Sequence, residues 1–197
     1  MLLKATNNFS KDNKIETRSS GSAYRAILSD GQEVAVKRKD NYHAFLCELK
    51  TLSRLNHSNL IRLLGYCKDR NVRILVYKYM KNGTLYDHLH ELKSTPLMSW
   101  ATRIKVALDA ARGIEYLHVY AVPPIIHRDI KPSNIFLDAI LTAKLSNFNI
   151  SMKSDIKYEL IAGTFGYLDP KYLTSGSLTT EVDVYRFGVV LLEMLIL

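Results

Sequence analysis

The chain has 197 residues, is 47% hydrophobic and 23% charged, and carries a formal net charge of +8. A chain of this length buries roughly 70% of its unfolded surface, so one large domain or two small lobes can form without disulfide or metal support, and disorder is excluded as the default. The positive charge does not point to nucleic acid: the basic residues are scattered apart from Lys37-Arg38-Lys39, and no aromatic-basic motif accompanies them.

Met1-Leu2-Leu3 runs at once into polar residues, so no signal peptide is expected. The first strand signal is Ser22 to Leu28, followed by the turn dipeptide Asp30-Gly31 and by the alternating run Glu33-Val34-Ala35-Val36-Lys37. A helix is predicted next, with Phe45, Leu49 and Leu52 on one face. Cys47 falls in it and Cys67 beyond it. The pair has neither disulfide-framework nor metal-ligand spacing and reads as reduced cytosolic thiols. Strand-like runs at Leu60–Tyr66 and Val72–Tyr79 complete a sheet-rich first part. After Lys81-Asn82-Gly83 the pattern turns helical: a short helix over Thr84–His90 and a long one over Trp100–His118, with Ile104, Leu108, Ala111 and Leu117 roughly in phase. The tract Phe187–Leu197 is too short to cross a bilayer and contains Glu193, so no membrane span is expected. Residues 182–197 are apolar nearly all round, which belongs in a core. With no chain after them to cover that surface, the expectation is a truncated domain.

The string His127-Arg128-Asp129-Ile130-Lys131-Pro132-Ser133-Asn134 carries the chemistry. Phosphoryl transfer to a hydroxyl needs a carboxylate to orient the hydroxyl and take its proton, a cation near the γ-phosphate, and an oxygen ligand for a metal. Asp129, Lys131 and Asn134 suit these roles, and the string resembles the protein-kinase catalytic loop in its serine/threonine wording. Around it other segments fall into kinase order. Val34-Ala35-Val36-Lys37 resembles the strand whose lysine meets the α- and β-phosphates, and Glu48 resembles the helix glutamate that pairs with that lysine. Fewer positions than usual separate Lys37 from Glu48, so the strand-to-helix connection is expected to be short. Leu75-Val76-Tyr77-Lys78-Tyr79-Met80 resembles gatekeeper and hinge, with Tyr77 the gatekeeper and the backbone from Lys78 to Met80 facing adenine. Gly163 to Pro170 resembles the end of the activation segment, and Asp183 the aspartate that braces the catalytic loop.

Ala5-Thr6-Asn7-Asn8-Phe9-Ser10 resembles the segment just before plant receptor-like kinase domains, and Arg54-Leu55-Asn56-His57, Leu64-Gly65-Tyr66-Cys67 and Ala111-Arg112-Gly113-Ile114-Glu115-Tyr116-Leu117-His118 resemble the Crinkly-type branch. The resemblance implies an α+β, two-lobed protein-kinase-like fold: an antiparallel-sheet N-lobe with one helix and a helical C-lobe lacking its last helices. Residues 1–10 would be a pre-kinase segment, 11–81 the N-lobe and 82–197 a partial C-lobe. It further implies ATP held near Gly21, Ala35, Lys37, Tyr77, Lys78 and Met80, with Mg²⁺ or Mn²⁺ near Asn134 and residue 147. The implied partner is a protein substrate or signalling protein, such as another receptor-like kinase. The implied place is the cytoplasm, or the cytoplasmic side of the plasma membrane if the chain is part of a longer receptor.

Three departures bear on activity. Where the family has D-F-G, this chain has Asn147-Phe148-Asn149, so a neutral amide replaces the metal-binding carboxylate. Hard cations favour carboxylates, so metal binding is expected to weaken. Asn149 replaces a glycine, and its tolerance of left-handed backbone should soften that change. Glu16 and Arg18 stand where the glycine-rich loop has glycines, leaving only Gly21. Lys171 replaces the glutamate that follows Asp169-Pro170 in the family. These changes favour a pseudokinase, a kinase-like scaffold or regulator with weak or no catalysis. A working serine/threonine kinase and a truncated product without stable function remain as alternatives. Ser151, Ser154, Tyr158 and Thr164 are phosphorylation candidates, with Arg128 as a partner for a phosphate.

Overall fold

The computed structural model describes residues 2–18, 21–69, 72–91, 97, 99–154 and 160–197. A short helix, α1 (Leu2–Ala5), precedes five strands: β1 (Lys14–Arg18), β2 (Gly21–Ile27), β3 (Glu33–Lys39), β4 (Leu63–Asp69) and β5 (Val72–Lys78). They form one antiparallel sheet in the order β1-β2-β3-β5-β4. The Asp30-Gly31 turn joins β2 to β3 as expected, with Gly31 at φ 82°.

Strand alternation divides β3 between two environments. Val34 and Val36 face outward into a cluster with Ala26, Ile74 and Val76, covered by Leu2, Ala5 and Phe9 of the N-terminal segment. Ala35, Lys37 and Lys39 therefore share the opposite face, toward the cleft. Only Asp40 and Asn41 separate β3 from helix α2 (Tyr42–Leu52), so the connection is as short as expected. Asn41 caps the helix, its side chain accepting from the Ala44 N–H at 2.9 Å. The helix buries Phe45, Glu48 and Leu52. Leu49 is only partly buried, so a glutamate takes the inner position that periodicity assigned to a leucine.

The predicted strand at Leu60 begins later than expected. Leu60 bridges Leu145, and the Ile61 N–H bonds the Leu145 carbonyl at 2.8 Å, so this segment stitches the sheet lobe to the helical lobe before β4 starts at Leu63. Past the hinge, Thr84 and Asp87 exchange hydrogen bonds of 2.7 and 3.2 Å, which open a short wide-turn helix over Asp87–Glu91. Helix α3 (Trp100–Glu115) loosens into a wide turn over Tyr116–Tyr120. Its predicted stripe is corrected: Ile104 and Leu108 are exposed, and the buried side is Val106, Asp109, Ala110, Gly113, Ile114 and, in the turn, Leu117. The helix is rich enough in apolar residues to support two overlapping stripes, and contact with the strand Ala143–Leu145 selects the one containing Gly113. A Cβ there would lie 2.9 Å from the Asn59 carbonyl oxygen.

Short strands β6 (Ile125–Ile126), β7 (Ile135–Leu137), β8 (Ala143–Leu145) and β9 (Met152–Lys153) pair as β6–β9 and β7–β8 and hold the loops of the site. Helices α4 (Pro170–Ser175) and α5 (Glu181–Ile196) follow. Helix α5 is not enclosed on all sides: Val182, Asp183, Arg186, Val190 and Met194 face the core, while Val184, Leu192, Leu195 and Ile196 are exposed. The architecture is thus an antiparallel-sheet lobe with one long helix joined to a helical lobe. No helix among the described residues is long and apolar enough to cross a membrane.

Candidate active site

The loop 127–134 is held from below by Asp183 at the start of α5. Its carboxylate accepts from the His127 N–H at 2.7 Å, the Arg128 N–H at 2.8 Å and His118 Nε2 at 2.9 Å. Burial alone would raise the Asp183 carboxyl; the His118 hydrogen bond and the positive field around His127 outweigh it and hold it below the ordinary value. Arg128 takes a left-handed backbone, φ 69°. His127 is buried, its Nε2 lies 2.9 Å from the Ser146 carbonyl, and its ring meets Phe148 edge-on at 4.6 Å. Burial pushes the His127 imidazole below its usual pKa. His127 is thus a packed structural residue.

Asp129 projects from this loop into a small hollow of ≈ 440 Å³. Its Oδ2 accepts from Asn134 Nδ2 at 2.8 Å and from Asn147 Nδ2 at 3.1 Å, and its Oδ1 from the Thr164 hydroxyl at 2.7 Å. Lys131 Nζ donates to Thr164 Oγ1 at 2.7 Å and stands 3.6 Å from Asp129 Oδ1. The sequence-predicted carboxylate, cation and amide are therefore brought together.

A larger cleft of ≈ 780 Å³ lies between the lobes and meets the hollow at Lys131 and Asn147. Ala35, Lys37, Tyr77, Lys78 and Met80 line it. The Tyr79 N–H is committed to the Glu33 carbonyl at 3.2 Å, and the Met80 carbonyl accepts from the Gly83 N–H at 3.3 Å. Burial, with Glu48 nearby, raises the Tyr77 phenol well above its usual pKa. Gly21 does not line the cleft. It sits opposite Lys39 at φ 135°, where a Cβ would lie 1.9 Å from the Arg38 carbonyl oxygen, so the sheet itself requires this glycine. Glu16 lines the cleft. The backbone of Arg18 ends β1, and Ser19, Ser20 and Tyr158 lie outside the described residues.

At the inner end of the cleft, Lys37 Nζ reaches Glu48 Oε2 at 3.5 Å and Asn147 Oδ1 at 3.0 Å. The nearer partner of Glu48 is Lys39, at 2.6 Å. The sequence reading missed this residue. The signal was present: in a strand, Lys39 shares a face with Lys37. The short connection explains the pairing, because α2 starts only two residues beyond Lys39 and carries Glu48 over it. Lys39 also donates to Asn149 Oδ1, and Asn149 Nδ2 donates to Asn147 Oδ1. Burial would raise Glu48, but Lys37 and Lys39 overcome it and hold the carboxyl low. Burial, aided by repulsion from Lys37, lowers the Lys39 ammonium to about 7 despite the attraction of Glu48.

The left-handed backbone expected at Asn149 falls instead on Asn147, φ 69°. Asn147 thereby turns its amide oxygen to Lys37 and its amide nitrogen to Asp129. A divalent cation fits this donor set poorly. The Asn147 oxygen already faces an ammonium, the amide nitrogens of Asn134 and Asn147 both point at Asp129, and no group of three or more His, Cys, Asp or Glu among the described residues could hold a metal.

Of the activation-segment candidates, Ser151 is buried against α2, bonded to the Phe148 carbonyl at 3.0 Å and to the Thr51 hydroxyl at 3.2 Å. Thr164 is committed to Asp129 and Lys131. Arg128 is buried, with Nη2 donating to the Leu160 carbonyl at 2.7 Å. Lys171 pairs with Glu181 at 2.8 Å on the exposed surface.

A family model for the protein kinase domain matches residues 9–197. Two serine/threonine-protein kinase-like proteins of Arabidopsis thaliana, CCR3 and CCR4, are each 50% identical over 98% of this chain. The receptor protein kinase WSS1 of Oryza sativa subsp. japonica is 47% identical over 99% of it. The chain spans only 27%, 29% and 23% of the lengths of these three relatives.

Proposed function

The chain belongs to the protein kinase domain family, and from that premise we propose that it is a nucleotide-binding pseudokinase module of receptor-type signalling. Its likeness to receptor-like serine/threonine kinases of the Crinkly type covers nearly its whole length. The family uses ATP and Mg²⁺. In this chain ATP would lie between Ala35, Tyr77, Lys78 and Met80, with its phosphates toward Lys37 and Lys131. Bound ATP supplies the transferable phosphoryl group. Asp129 would orient a substrate hydroxyl, with Thr164 and Asn134 fixing its carboxylate.

The observation that carries the impairment is the side chain of Asn147. Its oxygen faces Lys37 at 3.0 Å and its nitrogen faces Asp129 at 3.1 Å, so it offers a metal no anionic ligand. Metal stabilisation of a transferring phosphoryl group is worth several kcal/mol, and a loss of about 4 slows the step roughly 1000-fold. The rest of the frame favours a second reading, an active serine/threonine kinase. Glu48 is turned inward, Phe148 is packed in the core and Asp183 braces the loop. The partner is a protein, whether substrate or another receptor-like kinase, on the cytoplasmic side of the plasma membrane. Transfer of labelled phosphate from ATP to a generic protein substrate separates the two readings. Turnover below about 0.01 s⁻¹ supports impairment, and turnover of 1 s⁻¹ or more, usual for kinases, overturns it.

A further inference from the structure

Five polar side chains at the inner end of the cleft close into a ring. Lys37 donates to Glu48 and to Asn147, Asn149 donates to Asn147, Lys39 donates to Asn149, and Lys39 pairs with Glu48. Both residues that depart from the family's metal motif belong to this ring, together with a lysine that motif reading does not single out. The ring contains two ammonium groups and one carboxylate. The closer, fully buried ammonium is that of Lys39, at 2.6 Å from Glu48. The other, Lys37, stands 3.5 Å from Glu48, remains 18% exposed and lines the cleft. Up to about pH 7, where it is protonated, Lys39 neutralises Glu48 and leaves the charge of Lys37 available to a ligand, while Asn147 places no negative charge beside it. Lys131 adds a second cation on the same cleft.

Resting on the nucleotide-binding reading above, we propose that this ring holds a nucleoside triphosphate without a divalent metal. The cations that receive the polyphosphate are Lys37 and Lys131. Lys39 is a positioning residue: it touches Glu48 and Asn149 and acts on the ligand by releasing Lys37. A metal ion entering the ring would meet the Lys37 ammonium beside the Asn147 amide oxygen and the Lys39 ammonium beside that of Asn149, so Mg²⁺ does not strengthen binding. The Glu16 side chain also lines the cleft and opposes the phosphates, which sets a modest ceiling on affinity.

Calorimetric titration of the whole chain with ATP in EDTA, with ATP in excess Mg²⁺, and with adenosine tests this. ATP in EDTA is expected to bind at least as tightly as ATP with Mg²⁺, and about tenfold more tightly than adenosine, a difference of ~1.4 kcal/mol. Lys39→Met should bring metal-free ATP to the adenosine level and leave adenosine unchanged. Asn149→Ala, which opens the ring without removing a charge, covers the case in which Lys39→Met fails to fold and should give a smaller loss in the same direction. Binding of ATP only when Mg²⁺ or Mn²⁺ is present, with adenosine still bound, overturns the metal-free mode and leaves the nucleotide cleft standing. Failure of adenosine and ATP alike overturns both.

Discussion

The two ends of the site differ in how closely they keep the kinase motifs. At the catalytic loop, every residue that the kinase string requires is present, and the geometry follows: Asp183 receives two backbone N–H groups and His118, while Asp129 receives Asn134 and Thr164. At the metal end, neutral amides replace a carboxylate and a glycine, and a second lysine enters to pair with Glu48. A buried polar network must be satisfied as a whole. With an amide at position 147, Lys37, Lys39, Asn147, Asn149 and Glu48 satisfy one another in a single network, whereas at the loop the Asp129 and Asp183 carboxylates collect the donors.

Breaking the intact end should have the largest effect on stability. Asp183→Ala leaves two buried N–H groups and a histidine without their acceptor and is expected to cost ~3–5 kcal/mol, read by urea denaturation. The same carboxylate gives a pH signature. Its folded pKa is depressed, so its contribution is complete above the unfolded value of about 3.9 and is lost as pH falls through the folded value. Acid unfolding of the wild type should therefore be steep below about pH 4 and shallower in Asp183→Asn.

Gly21 separates a structural from a ligand role at the eroded glycine loop. Gly21→Ala, at φ 135° and against the Arg38 carbonyl, should cost about 1–3 kcal/mol in the absence of any nucleotide. A variant that keeps its stability but loses nucleotide would place this glycine with the ligand instead.

The rewired end has the same pH sense as Asp183 but in a higher window. Lys39 is lowered to about 7, far below an unfolded lysine near 10.4, so between these values the unfolded chain binds more protons and stability rises with pH. Unfolding free energy should increase from pH 7 to pH 9, and Lys39→Met should flatten that rise. The smallest effect is expected at the surface: Lys171→Ala removes an exposed pair with Glu181 and should change stability by less than about 1 kcal/mol.

The sequence made the loop and the strand lysine legible because their chemistry is local: a string of neighbours carries it, and strand alternation aims Lys37. The short β3–α2 connection was also legible from the spacing of Lys37 and Glu48. Its consequence was not, since the exchange of Glu48 toward Lys39 depends on where α2 begins. The stripe of α3 was misread because two apolar faces compete and only contact with β8 decides between them. The left-handed backbone was expected at Asn149 and found at Asn147, because the turn is set by the contacts of Asn147 with Lys37 and Asp129 rather than by residue preference alone.

The most direct test of the account is to restore the metal end and leave the loop untouched. Initial rates of phosphoryl transfer in Mg²⁺ should be compared for the wild type, Asn147→Asp and the double variant Asn147→Asp/Asn149→Gly. The account predicts a rise of at least about 100-fold, out of the roughly 1000-fold that several kcal/mol of metal stabilisation represents. Equal rates in all three, with each variant folded, would contradict it, because the missing carboxylate would then not be what separates this site from a working one.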